Sequence, residues 1–201
     1  MPGPADTQSE RLDLVDPCEE HLDAFLAYAR ACLPAETNPY MRQRFEEALA
    51  DPAGHLRRER GFAAGRNLPP GYVPASTYWL VRDGRDVVAR SSLRHRLTAH
   101  LLHEGGHIGY SVRPAERGKG YGTAVCRLTI ERARALGLGR VLITCDADNP
   151  ASARIIEKCG GVYENEVRSR ATGKMKRRYW VDLTRPAPGH PGPRDSSSRR
   201  S

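Results

Sequence analysis

No run of 18 apolar residues occurs anywhere in the 201-residue chain, so no membrane span is expected. Residues 1–10 are polar and lack the apolar stretch of a secretory leader, so no signal peptide is expected either. The five cysteines (Cys18, Cys32, Cys126, Cys145 and Cys159) are scattered and odd in number, with no Cys-x-x-Cys pair. That pattern favours reduced thiols and a cytoplasmic setting over a disulfide framework. Aromatic residues make up only 6% of the chain, too few to interleave with basic side chains as a base-stacking platform. A nucleic-acid binder is therefore supported by charge alone. The net charge of +8 draws anions of any kind, whether cofactor, nucleic acid or acidic protein. Lysine supplies only four of the 32 basic residues, a bias that carries no functional reading.

What is present suits one globular domain: 39% apolar residues and no internal repeat. Arg11 to Val15 alternates as a strand does, and residues 18–33 place Leu22, Phe25, Leu26 and Ala29 at helical spacing. Met41 to Leu49 reads as a second helix. Residues 51–75, with four prolines and four glycines, read as a long loop. Ser76 to Arg82 and Asp86 to Leu97 are strand-like around an Asp83-Gly84 turn, and Ile108 to Val112 is a fourth strand. Val162 to Arg168 and Arg177 to Leu183 form a closing pair around Thr172-Gly173. Residues 184–201 hold a single apolar residue, Ala187, and are expected to be a disordered basic tail rich in Pro, Gly and Ser; residues 1–10 read as a polar N-terminal segment before the domain at 11–183.

Residues 117–122 read Arg-Gly-Lys-Gly-Tyr-Gly, between the fourth strand and an amphipathic helix with Tyr121, Ala124, Val125, Leu128, Ala135 and Leu136 at helical period. Such a turn gathers backbone N–H groups at a helix N-terminus, where a phosphate can sit. It is not a P-loop, because Lys119 is followed by Gly120 and position 113 is Arg113. Nor is it a dinucleotide fingerprint, because Thr123 stands where the third glycine belongs. Gly137 and Gly139 end the helix, and the apolar run Val141 to Thr144 follows as a strand buried on both faces. Strand, helix and parallel strand make one crossover unit.

His103-Glu104-Gly105-Gly106-His107 matches the spacing of a zinc-protease helix. That chemistry needs both imidazoles on one helical face, and two adjacent glycines argue for a turn instead. His95, His100, His103 and His107 are read as polar loop residues in preference to metal ligands, and no metal is expected. Arg57, Arg58, Arg60 and Arg66 are read as a solvated basic cluster, and Cys126 and Cys159 as packing residues.

The spacing that does fit residues 117–122 is Gln/Arg-x-x-Gly-x-Gly/Ala. The run from Asn149 to Gly161 fits N-x-x-S-x-R-x-x-E-K-x-G-F, with Gly161 in place of the aromatic residue. With Val112-Arg113-Pro114 before the loop, these two motifs resemble those of the GCN5-related N-acetyltransferases (GNAT), and the resemblance spans residues 11–183. It implies an α/β (α+β) fold with a mixed sheet of about seven strands, helices on both faces, and the fourth and fifth strands splayed around a cofactor. It implies acetyl-CoA as co-substrate, its pyrophosphate held by Arg117, Gly118, Lys119, Gly120, Tyr121 and Gly122, with Thr123 opening the helix. Val112 would supply backbone contacts to the pantetheine and Asn149 would contact the cofactor near its thiol.

The implied reaction is direct attack of a primary amine on the thioester. The acceptor is expected to be a small molecule such as an amine antibiotic or amino-acid derivative, with a protein α-amine or lysine as the alternative; a homodimer is left open. Many relatives carry a tyrosine acid seven residues after the signature Asn, where this chain has Ile156, and a glutamate base where it has His107. His107 is therefore the candidate base, followed by Glu104, then Asp146 and Asp148. The missing tyrosine is also what a catalytically silent acyl-CoA-binding module would show.

Overall fold

The computed structural model describes residues 10–184. The expectations for residues 1–10 and 184–201 lie, apart from Glu10 and Thr184, outside the described residues. In chain order the elements are β1 (Leu12–Val15), α1 (Leu22–Cys32), α2 (Pro39–Ala50), α3 (Pro52–Ala63), β2 (Ala75–Arg82), β3 (Asp86–Arg94), β4 (Ile108–Val112), α4 (Tyr121–Ala135), β5 (Arg140–Asp146), α5 (Pro150–Lys158), β6 (Val162–Arg168) and β7 (Met175–Asp182). They build one seven-stranded sheet in the order β1-β2-β3-β4-β5-β7-β6, antiparallel except between β4 and β5. This is the mixed sheet expected. Among the described residues no helix is long and apolar enough to cross a membrane.

The sheet has a core on each face. On one, α4 and α5 bury Val125, Cys126, Ile130, Ala153 and Ile156 against Leu80, Leu93, Ile108 and Ile143. On the other, α1, α2 and α3 bury Phe25, Tyr28, Phe45 and Leu56 against Trp79, Val81 and Val87. β5 contributes Val141, Leu142 and Ile143 with no exposed surface, as an apolar run between two helical layers must.

The expected loop at 51–75 is corrected in its first half, which is the helix α3. Asp51 caps it by accepting the Gly54 N–H at 2.8 Å, and Pro52 occupies the first turn, where its missing N–H costs nothing. The helical period went unseen because two of the four residues it buries, His55 and Glu59, are polar. Glu59 pairs with Arg44 of α2, so a polar contact holds the two helices together where an apolar one was sought. β3 also stops at Arg94, three residues short of the expected end, and residues 101–105 form a single π-type turn.

His55 makes stability depend on pH. Its ring stacks on Phe25, with centroids 5.0 Å apart, and neither ring nitrogen has a hydrogen-bond partner. Burial, only partly offset by Glu59, pushes its pKa down to about 4. The unfolded chain binds that proton near the ordinary value, so stability is lost as pH falls from about 6.5 towards 4, by on the order of 3 kcal/mol. His107 is shifted the same way. Urea denaturation at pH 7 and pH 5 should show His55→Phe losing about half as much stability as the parent over that interval. An unchanged loss would show that this ring does not set the dependence.

Candidate functional site

Between β4 and β5 the backbone opens. Ile108 pairs with Ile143, the His107 N–H donates to the Leu142 carbonyl at 2.7 Å, and the register goes no further. Gly106 makes this approach possible. A Cβ there would stand 2.7 Å from the Leu142 carbonyl oxygen, and its φ of 65° is one that side chains resist. The strands therefore meet at the start of β4 and diverge towards Val112.

At the wide end lies the loop of residues 117–122. Gly118 and Gly120 have φ of 81° and 92°, both are exposed, and nothing stands within 4 Å of where a Cβ would be. Gly120 is the N-cap of α4, and the first N–H groups of a helix have no intrahelical acceptor. Those of Tyr121 and Gly122 thus join the loop's own N–H groups as donors for an anion. Below the loop, Glu116 is nearly buried and accepts from Lys119 at 2.8 Å and Arg82 at 3.3 Å. Lys119, opposed by burial and helped by Arg82, holds its carboxyl below the usual range. The Tyr121 hydroxyl donates to Glu10 at 2.6 Å and accepts from Arg82 at 3.1 Å. Tyr121 is therefore packed beneath the loop, with its hydroxyl turned away from the loop's open side. The Arg117 Nε reaches back to the Val112 carbonyl at 3.4 Å, which leaves the guanidinium exposed at the rim. Gly122 lets α5 come close, since a Cβ would meet Ile155 Cδ1 at 2.7 Å. Thr123 lies within the first turn of α4, its N–H on the Gly120 carbonyl at 3.0 Å.

Asn149 is the N-cap of α5 and accepts the Ser152 N–H at 3.0 Å. Ile156 is completely buried, and its hydrocarbon side chain has no proton to offer. A different pair of hydroxyls lies on this side of the opening: Tyr110 of β4 and Ser152 of α5, 2.9 Å apart. Burial, opposed by Ser152, raises the Tyr110 pKa, so its proton is retained. Sequence reasoning missed this pair because it spans two elements 42 residues apart.

The two candidate bases are held in other work. His107 is 7% exposed, and its Nδ1 accepts the Leu142 N–H at 2.9 Å. The neutral ring then carries its proton on Nε2 and has no lone pair left for an incoming one. Burial, with Arg94 and Arg140, pushes its pKa down to about 4. This arrangement does not fit the base role expected of His107. Glu104 is buried, accepting from the Ser169 hydroxyl and from the Arg170 N–H at 3.1 Å. Burial raises its pKa, but these hydrogen bonds, with His100 and His103, outweigh it and the net shift is downward. It pins the π-type turn to the β6–β7 turn. His103 bonds the Arg168 carbonyl at 3.1 Å, so the two imidazoles of the zinc-like motif point to different partners. Asp146 and Asp148 are paired with Lys176 and Lys174.

On the opposite face of β3 and β4, Arg90, Ser92, Ser111 and Gly109 are half-buried beside Tyr28, whose hydroxyl lies 2.7 Å from the Ser111 hydroxyl. A groove of about 900 Å³ lies elsewhere, between the C-terminal half of α4 and β7, lined by Arg127, Arg134, Arg140 and Trp180.

A family model described as the acetyltransferase (GNAT) domain matches residues 11–162. No curated protein matches the sequence. Among solved structures, the chain is similar to RimL, a ribosomal L7/L12 alpha-N-protein acetyltransferase in complex with coenzyme A. The two share 17% identity over 89% of this chain and 96% of that one, with a TM-score of 0.62. RimJ of Mycobacterium smegmatis, in complex with a coenzyme A disulfide, is 16% identical over 85% of this chain and 81% of its own, with a TM-score of 0.63. A spermidine N-acetyltransferase SpeG chimera from Vibrio cholerae and hSSAT is 15% identical over 86% and 96%, with a TM-score of 0.56. Identities this low show a shared fold.

Proposed function

The chain belongs to the GNAT acetyltransferase family, and on that premise we propose that it transfers an acetyl group from acetyl-CoA to a primary amine by direct attack, without an acyl-enzyme. The observation that carries this reading is the junction of an open, glycine-lined helix N-terminus with two parallel strands that pair at a single position. The pyrophosphate takes the N–H groups from Gly118 to Gly122, with Arg117 at the rim and Lys119 beside them. The pantetheine lies along β4, where backbone groups up to Val112 have lost their β5 partners and can bond it. On this reading the thioester comes to lie near Tyr110 and Ser152. Their hydroxyl pair supports protonation of the leaving thiolate, a role for which Ile156 is unfit. Unpaired β4 N–H groups stand where an oxyanion would need donors. With His107 and Glu104 engaged elsewhere, the acceptor's proton leaves through water.

A small-molecule amine is the first reading for the acceptor, and a protein α-amine, which the likeness to RimL supports, is the second. The test is release of free thiol from acetyl-CoA across a panel of amines, amino-acid derivatives and short peptides. Release with any amine is expected. Binding of acetyl-CoA with no release from any acceptor would leave the silent acyl-CoA-binding module instead.

A further inference from the structure

Resting on the acetyltransferase reading, we propose that the acceptor is a small amine bearing an anionic group, carboxylate or phosphate, which is held by Arg90 and Arg94 of β3, and that polyamines are rejected.

Cross-strand partners share a face, and the register pairs Arg90 with Trp79 on one side and Ser111 on the other. Arg90, Ser92 and Arg94 alternate onto that face. Where Trp79, Val81 and Val87 lie on it, α1, α2 and α3 cover the sheet completely. Over Arg90 to Arg94 the cover is incomplete, and all three side chains are half-buried. The face changes from apolar to cationic where it becomes reachable.

Among the described residues neither guanidinium has an ion-pair partner, although Arg90 lies near enough to Glu59 to help hold that carboxylate charged. Arg90 Nη1 meets the sulfur of Met41 at 3.2 Å, a weak acceptor for one of its five donors. Arg94 Nη1 donates to the Gly105 and Gly106 carbonyls at 3.1 Å and 3.0 Å. Among the described residues no carboxylate lies within ion-pair distance of either, whereas half-buried Arg44, Arg82 and Arg178 all have one. Glu59 is engaged by Arg44. Burial, together with the charge of Arg90, pushes the Arg94 pKa down, the direction an unmet positive charge gives. An anion would relieve it, whereas a polyamine would add to the repulsion.

Two further features make this a seat for an organic acceptor. Tyr40 and Tyr72 are 46% and 45% exposed with ring centroids 6.4 Å apart, and both lie close enough to Arg94 to influence its titration. They supply apolar walls that a bare inorganic ion would not need. Ser111 sits on β4 directly beside Arg90, one strand spacing or roughly 5 Å away. An anion on β3 and an amine beside β4 are thus separated by no more than a small molecule spans.

The test uses matched acceptors with acetyl-CoA and the full chain: an amino acid against its amide, an aminoalkyl phosphate against the corresponding amino alcohol, and spermidine. The anionic member of at least one pair should be favoured tenfold or more in kcat/KM, and whichever pair shows it identifies the group. Arg90→Ala should raise KM for that member about tenfold with kcat and the neutral member little changed, and Arg90→Lys should recover part of the loss. Arg94→Ala should act the same way, but it also frees two carbonyls, so Arg90 carries the test. Equal use of anionic and neutral members, preference for spermidine, or an Arg90→Ala effect that is the same on both members would overturn the proposal. The acetyltransferase reading would then still stand. No thiol release from any amine would overturn both.

Discussion

Acetyl-CoA is expected to raise the melting temperature of the wild-type chain and to leave that of Gly120→Asp unmoved. At a hundredfold excess over Kd, binding to the folded state alone contributes about 2.7 kcal/mol of stability. The substitution is chosen so that its effect on binding separates from its effect on folding. Gly120 is exposed, no atom lies within 4 Å of the new Cβ, and aspartate is a favoured residue at a helix N-cap. Its φ of 92° strains most side chains, but Asp and Asn tolerate left-handed backbone better than others do. The unliganded variant should therefore still fold, melting below the parent by a strain cost on the order of 1 kcal/mol, and the shift on adding acetyl-CoA is read against its own unliganded value. Its carboxylate, however, would stand where we propose that the pyrophosphate lies, and like charges at that distance exclude each other. A variant that shows the wild-type shift would mean that residues 117–122 do not hold the cofactor.

The second large effect is on stability. Glu59→Ala is expected to cost about 3–5 kcal/mol, measured by urea denaturation at pH 7. Glu59 is 5% exposed and the Arg44 side chain only 12%, so removing the carboxylate leaves the guanidinium with Glu47 alone, at 3.5 Å, beside an apolar layer. Burial raises the Glu59 pKa, yet Arg44, His55, Thr77 and Arg90 outweigh it and the net shift is downward. Its contribution is therefore present at neutral pH and lost only as pH falls below the ordinary carboxylate value of about 4. The double variant Arg44→Met with Glu59→Leu should recover most of the loss, because replacing a buried pair with apolar residues leaves no orphaned charge. A cost below about 1 kcal/mol for the single variant would show that water reaches the pair.

The glycine loop at 117–122 and the crossover around it were legible because their signals are local. Glycines at 118 and 120 allow a positive φ, and a 3.6-residue period starts directly after them. Helix α3 was not legible, although its Asp51-Pro52 start is a local signal, because its buried face is half polar and reads as solvated until Arg44 is seen beside Glu59.

The sequence by itself determined the order of the strands and of every long helix but α3, the glycine turn before α4, and the family, since each follows from residues a few positions apart. Tertiary structure alone decided the chemistry around the opening. It turned the Nδ1 of His107 to a backbone N–H of β5, 35 residues away. It brought Tyr110 to Ser152 and set Arg90 across from Ser111. These are consequences of strand register and helix docking, and a register that slips by one residue sends every side chain to the other face. Which histidine is buried, which hydroxyls meet and which arginines remain without a counter-charge are therefore properties of the assembled sheet.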